Sequence, residues 1–152
     1  MFKKMLVPVD GSEISLRAVR TAAQMAKADH AELVLLHVAA PFVFPYGYDP
    51  GMFQSTSENI YNQRVEEGAK QLLDRAKDHA GPDLIVHTQW IMSDRTEEAI
   101  VKAAKSEACD VIVIATHGRG AVGRALLGSV TSRLLPLSPV PVLVYRDASM
   151  VA

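Results

Sequence analysis

The sequence predicts a single α/β domain: a Rossmann-like, doubly wound parallel sheet of five strands. Two observations carry that expectation. Short apolar runs alternate with longer amphipathic stretches along 152 residues, and strands that alternate with helices imply parallel pairing through crossovers. The apolar runs are also solid rather than alternating, the pattern of strands covered by helices on both faces. The length suits one domain, and no internal repeat or low-complexity segment interrupts it.

Lys4–Val9 reads as a buried strand bounded by Asp10-Gly11-Ser12. Ser12 is placed to cap a helix, with Glu13 suited to its first turn. Leu16, Val19, Ala23 and Ala26 follow at helical spacing, and the helix is expected to end near Asp29-His30. Glu32–Ala39 is a second strand. The stretch from Ala40 to Ser57 carries Pro41, Pro45, Pro50, Gly47 and Gly51, so it is expected to be a loop. A second helix is predicted over Glu58–Ala80, supported by the Glu66–Lys70 pair and stopped by Gly81-Pro82. Leu84–Ile91 is a third strand. Ser93 or Asp94 is expected to cap a third helix that carries Ile100, Ala103 and Ala104. Asp110–Ala115 is a fourth strand, a glycine-rich stretch leads into a helix through Leu134-Leu135, and Val142–Tyr145 is the last strand.

Composition narrows the function. Apolar residues make up 49% of the chain and charged residues 22%, and the net charge is −1. No strong field therefore favours nucleic acid or an anionic membrane. The single cysteine, Cys109, rules out an internal disulfide framework and fits a reducing compartment. The apolar run Met5–Val9 is too short for a signal-peptide core, and no stretch approaches the ~20 apolar residues of a membrane span. A cytoplasmic location is the expectation.

In open α/β sheets, ligands bind beyond the carboxyl ends of the strands. Two such ends are marked here. The first strand runs out in Pro8-Val9-Asp10-Gly11-Ser12, and the fourth in Ala115-Thr116-His117-Gly118. Gly118, Gly120, Gly123 and Gly128 then crowd into a segment with two arginines and no acid, followed at once by Ser129. Glycines there expose backbone N–H groups near a helix start, which suits phosphate oxygens, and Ser129 adds a hydroxyl donor. Asp10 is placed to accept from a ribose or to help hold a metal bound to phosphate. No G-x-x-x-x-G-K-[ST] occurs, which excludes a P-loop. Gly118-x-Gly120-x-x-Gly123 matches the dinucleotide fingerprint, with Asp147 where a ribose-binding acid would stand, so a dinucleotide-binding enzyme fragment is one alternative. His37, inside a strand, reads as a hydrogen-bonded structural histidine. No CxxC or HExxH spacing points to a protein-only metal site.

A further pattern is more specific. "MLVPVDGS", "LVLLHV", "DVIVIATHGRG", "LLGSVTSRLL" and "PVPVLV" together resemble the universal stress protein family over almost the whole chain. Nucleotide-binding members carry G-x-x-G, nine residues, then G-[ST]; here Gly118, nine residues, then Gly128-Ser129 fits, and the first motif glycine falls on Ala115. Alanine there is harmless at negative φ and strained at positive φ. The resemblance implies a universal stress protein domain over residues 1–147 with a short tail over 148–152. It implies ATP as ligand, with Mg2+ held by its phosphates. Asp10 would sit by the adenosine, with Pro8 and Val9 in the same turn, and Val38 would offer backbone groups to adenine. Ala115, His117, Gly118, Gly128, Ser129 and Val130 would line the ribose and phosphates. The resemblance also implies a homodimer through the last strand, where Val140, Val142 and Val144 face one way, and a role as sensor or regulator under stress. A family member that binds no nucleotide and serves as an interaction dimer is the other alternative, should Ala115 close the pocket. No activated nucleophile, general base or carboxylate pair marks the site, so any ATP hydrolysis would be slow.

Overall fold

The computed structural model describes residues 1–43, 50–116 and 127–147. Within them, strands and helices alternate: β1 Lys4–Pro8, α1 Glu13–Asp29, β2 Glu32–Ala39, α2 Pro50–Ala80, β3 Val86–Met92, α3 Thr96–Ser106, β4 Val111–Ala115, α4 Ser129–Leu134 and β5 Val142–Tyr145. Every pairing is parallel, and the strands lie in the order β3-β2-β1-β4-β5.

The two faces of the sheet explain the solid apolar runs. Met5, Val7, Leu33, Leu35, Val111 and Val113 bury against Leu16 and Val19 of α1 and Leu73 and Ala76 of α2. Their alternates Leu6, Val34, Leu36, Ile112 and Ile114 bury against Ile100, Ala103 and Ala104 of α3 and Leu134 of α4. Neither parity of a central strand meets water, so neither is polar. Met5, Leu6 and Val7 are each fully buried.

Local chemistry sets the helix ends. Ser12 caps α1 by accepting from Ser15 N–H at 3.3 Å, and His30 closes the helix in the left-handed region at φ 56°. Gly81, at φ +86°, follows α2 in a conformation that side-chain-bearing residues rarely adopt. Glu66 and Lys70 pair at 2.6 Å along α2.

Apart from shifts of one residue at the end of β1 and the start of β4, three boundaries depart from the sequence expectation. The helix α2 begins at Pro50 rather than Glu58, so part of the expected proline-rich loop is helical. Proline is at home at the first helical position, where its missing N–H has no intrahelical partner to lose. The helix α3 has Arg95 at its N-cap, with no side-chain cap, instead of Ser93 or Asp94. Ser93 Oγ instead accepts from Arg95 N–H at 3.1 Å, closing a turn one step before the helix. The third strand spans Val86–Met92, two residues later at its start than expected. It lies at an edge of the sheet and is only partly buried, so the apolar run that begins at Leu84 does not define it. No described helix is long and apolar enough to cross a membrane.

Candidate functional site

The pairing of β1 with β4 joins only Met5 to Val111 and Leu6 to Ile112. On its other side β1 stays paired with β2 through Pro8↔Leu36. Between β1 and β4 the strand order reverses direction, and this is where a crevice opens in doubly wound sheets. Pro8 suits the divergence. Val9 N–H donates to Leu36 O at 2.8 Å, so by alternation the Pro8 nitrogen faces β4, beyond the last paired residues. A proline there forfeits no ladder hydrogen bond.

A cavity of about 700 Å³ fills this crevice. The end of β1 supplies Pro8, Val9 and Asp10, and β2 and its continuation supply Leu36, Val38 and Ala40. The end of β4 supplies Ile114, Ala115 and Thr116, α4 and its cap supply Gly128, Ser129, Val130 and Thr131, α3 supplies Thr96 and Ile100, and α1 supplies Ser15. Eight sequence-predicted residues thus meet at one cavity: Pro8, Val9, Asp10, Val38, Ala115, Gly128, Ser129 and Val130. His117 and Gly118 lie outside the described residues, as do Arg119, Gly120, Gly123, Arg124 and the tail 148–152. The sequence did not point to Thr96, Ile100, Ser15 or Ala40. Ser15 and Ala40 lie close in the chain to Asp10 and Val38, whereas Thr96 and Ile100 reach the cavity through topology, with no ligand motif among their own neighbours.

The Asp10 turn is built tightly. Asp10 Oδ1 accepts from Ser12 N–H at 2.9 Å and Ser12 Oγ–H at 2.5 Å, and Gly11 takes φ 82° to make the turn. On the opposite wall, Gly128 N–H donates to Thr116 O at 2.6 Å, and Thr131 Oγ–H donates to Ala115 O at 3.1 Å. Thr131 is buried, so its hydroxyl is committed to holding the end of β4 against the start of α4. Gly128 caps α4 without any side-chain hydrogen bond, which leaves its first-turn N–H groups without a capping side chain. The described lining holds one carboxylate, Asp10, and no cation.

Ala115 is an ordinary strand residue. Positive φ among described non-glycine residues is confined to His30 and Ala108. Ala115 also packs with Ile14 and Ala18 of α1 and with Tyr145, on the parity of Val111 and Val113. Its methyl therefore meets α1, and the residue borders the cavity at the strand end.

Other polar groups are accounted for elsewhere. His37 Nδ1 lies 2.9 Å from Val9 O, as a hydrogen-bonded structural histidine should. Asp147, the acid weighed for a dinucleotide ribose, is paired with Arg17 of α1. Glu97 of α3 meets Arg133 of α4 at 3.0 Å. Its own backbone N–H and then Arg133 hold its carboxyl below the usual range. Burial pushes the Cys109 thiol up to about 11, which makes it a poor nucleophile. It stands at the amino end of β4, away from the cavity. No cluster of three potential metal ligands occurs among the described residues.

Residues 1–146 match the model of the universal stress protein family. The chain is 32% identical over 149 residues to universal stress protein YxiE of Bacillus subtilis (strain 168), across 96% of this chain and 100% of YxiE. The solved structure of MJ0577, from Methanocaldococcus jannaschii, matches with a TM-score of 0.77 at 29% identity, covering 97% of this chain and 99% of that one. A universal stress protein crystallised in complex with cAMP matches with a TM-score of 0.62 at 26% identity, covering 95% and 97%.

Proposed function

Because this chain belongs to the universal stress protein family, we propose that it binds ATP in the crevice between β1 and β4 and acts as a cytoplasmic sensor or regulator of the stress response. The observation that carries the reading is one cavity that gathers Asp10, Val38 and the uncapped Gly128-Ser129 turn at the switch point of the sheet. Its volume of about 700 Å³ falls within the ~300–1,000 Å³ of small-molecule sites. The cAMP complex of a structural neighbour supports an adenine nucleotide as the ligand class.

The chemistry divides along the cavity. Leu36, Val38, Ile100 and Ile114 offer an apolar wall for a flat base, and Val38 offers backbone groups to its edge. Asp10, fixed by Ser12, accepts from ribose hydroxyls. The first-turn N–H groups of α4 and the Ser129 hydroxyl receive phosphate oxygens. Mg2+ arrives held by the phosphate oxygens and its own waters, and Asp10 is the one carboxylate of the described lining. Asp10 is assigned to the ribose and the described lining holds no further carboxylate and no histidine, so any hydrolysis would be slow. The dimer forms through β5, an edge strand whose Val142 and Val144, with Val140 just before it, are only partly buried.

Titration of Ser129→Ala with ATP and adenosine tests the reading. A charge-assisted hydrogen bond contributes roughly 1.5–3 kcal/mol, so ATP affinity falls by about tenfold or more, while adenosine affinity stays nearly constant. Equal losses for both ligands, or no loss for ATP, would overturn the phosphate assignment. A wild type that binds neither ligand would end the nucleotide reading.

A further inference from the structure

We infer that His37 is a positioning residue for the nucleoside half of the cavity: it fixes the peptide before Asp10 and so sets where the Asp10 carboxylate stands. The inference rests on the reading of Asp10 as the ribose acceptor, and it begins with an unusual backbone partner.

Val9 N–H donates to Leu36 O at 2.8 Å, so the N–H and the carbonyl of Val9 both face β2. In a continuing parallel ladder that carbonyl would be taken by a backbone N–H of β2. The strand β1 has already ended at Pro8, and the chain turns through Asp10 and Gly11. His37 Nδ1 stands 2.9 Å from Val9 O instead. A carbonyl oxygen only accepts, so Nδ1 must carry the proton, and the neutral ring has its Nε2 unprotonated. One side chain therefore replaces the next rung of the ladder at the point where the crevice opens.

The constraint passes directly to the site. Val9 and Asp10 are consecutive, and both border the cavity. Downstream, Asp10 Oδ1 is held by Ser12 N–H and Oγ–H, and Ser12 caps α1. The turn is thus tied at its far end to a helix and at its near end to His37. Without the imidazole bond the peptide between Val9 and Asp10 loses its tie to β2, and the carboxylate moves relative to Val38, which follows His37 on that neighbouring strand.

Two substitutions separate hydrogen bonding from space filling. His37→Asn places an amide N–H near the Nδ1 position, whereas His37→Gln places it near Nε2. His37→Gln should weaken adenosine and ATP alike, by about three- to tenfold, and His37→Asn should keep wild-type affinity. In an Asp10→Ala background, His37→Gln should add no further loss, because a residue that acts through another is not additive with it. Nitrogen NMR of the ligand-free wild type should show the Nδ1–H tautomer at His37, and the Ser12 amide resonance should shift in His37→Gln. An Nε2–H tautomer, an unmoved Ser12 amide, additive losses, or a loss confined to ATP would each overturn the inference. If the wild type binds neither ATP nor adenosine, the nucleotide reading fails by itself. The tautomer and the Ser12 shift then still decide whether His37 positions the turn.

Discussion

The methyl of Ala115 occupies the place of a motif glycine, and its direction decides what it does. It packs against Ile14 and Ala18 on the α1 face, and its backbone is unstrained. Two consequences follow for Ala115→Gly. The protein loses a buried methyl and gains unfolded-state freedom, so stability should fall by about 1–2 kcal/mol. ATP affinity should stay equal or rise, because the change only removes atoms beside the cavity. Urea unfolding and calorimetric titration check the two halves separately. A clear loss of affinity in protein that remains folded would show that the strand end needs the alanine methyl, and this account of the position would be wrong.

At the scale of elements, the cavity is a matter of spacing between α3 and α4. Thr96 and Ser129 line it from the first turns of these helices, and Glu97 and Arg133 join them at 3.0 Å. Glu97 titrates below the ordinary value of 4.5 in the folded state. The carboxylate's bonds to its own backbone N–H and then to Arg133 therefore stabilise the fold fully above that value, and the contribution is lost as pH falls through the depressed folded value. Glu97→Gln should cost up to about 1 kcal/mol at pH 7, and the difference from wild type should shrink toward zero in strong acid. Urea midpoints at the two pH values test this, and a difference that persists in acid would assign the cost to packing instead. The pair also shows where sequence reading stops. Buried strands are legible because both their faces must be apolar, and the end of β1 and the start of α4 carry Asp10 and Gly128-Ser129 in plain view. Thr96 and Ile100 enter the site only because strand order brings α3 over the crevice, and no local pattern encodes that order. The start of α2 was missed for the opposite reason. Pro50 and Gly51 read as breakers, yet a proline that opens a helix breaks nothing.

The whole molecule presents one sheet with two edges, and β5 forms the edge beside the switch point. Thr116 N–H donates to Tyr145 O, so Tyr145 faces β4 along its backbone. By alternation, the N–H and carbonyl of Val144 and Val142 point outward from the sheet. Their side chains, together with Val140, pack partly on the α3–α4 core and remain partly exposed. An open backbone edge with apolar side chains favours pairing with a second copy across a two-fold axis. Two substitutions probe it. Val142→Asp places a charge among the valines, but it also touches the protein's own core. Val144→Pro removes an outward N–H and leaves the bonds to β4 in place, the one kind of strand position that tolerates proline. We expect the wild type to sediment as a dimer, and Val144→Pro to sediment as a monomer with the circular dichroism of the folded protein. Val142→Asp should be monomeric or insoluble. A wild type that stays monomeric across the accessible concentration range ends the proposal at once. A Val144→Pro protein that remains dimeric would move the interface away from the β5 edge, to surfaces that keep their side chains in this variant.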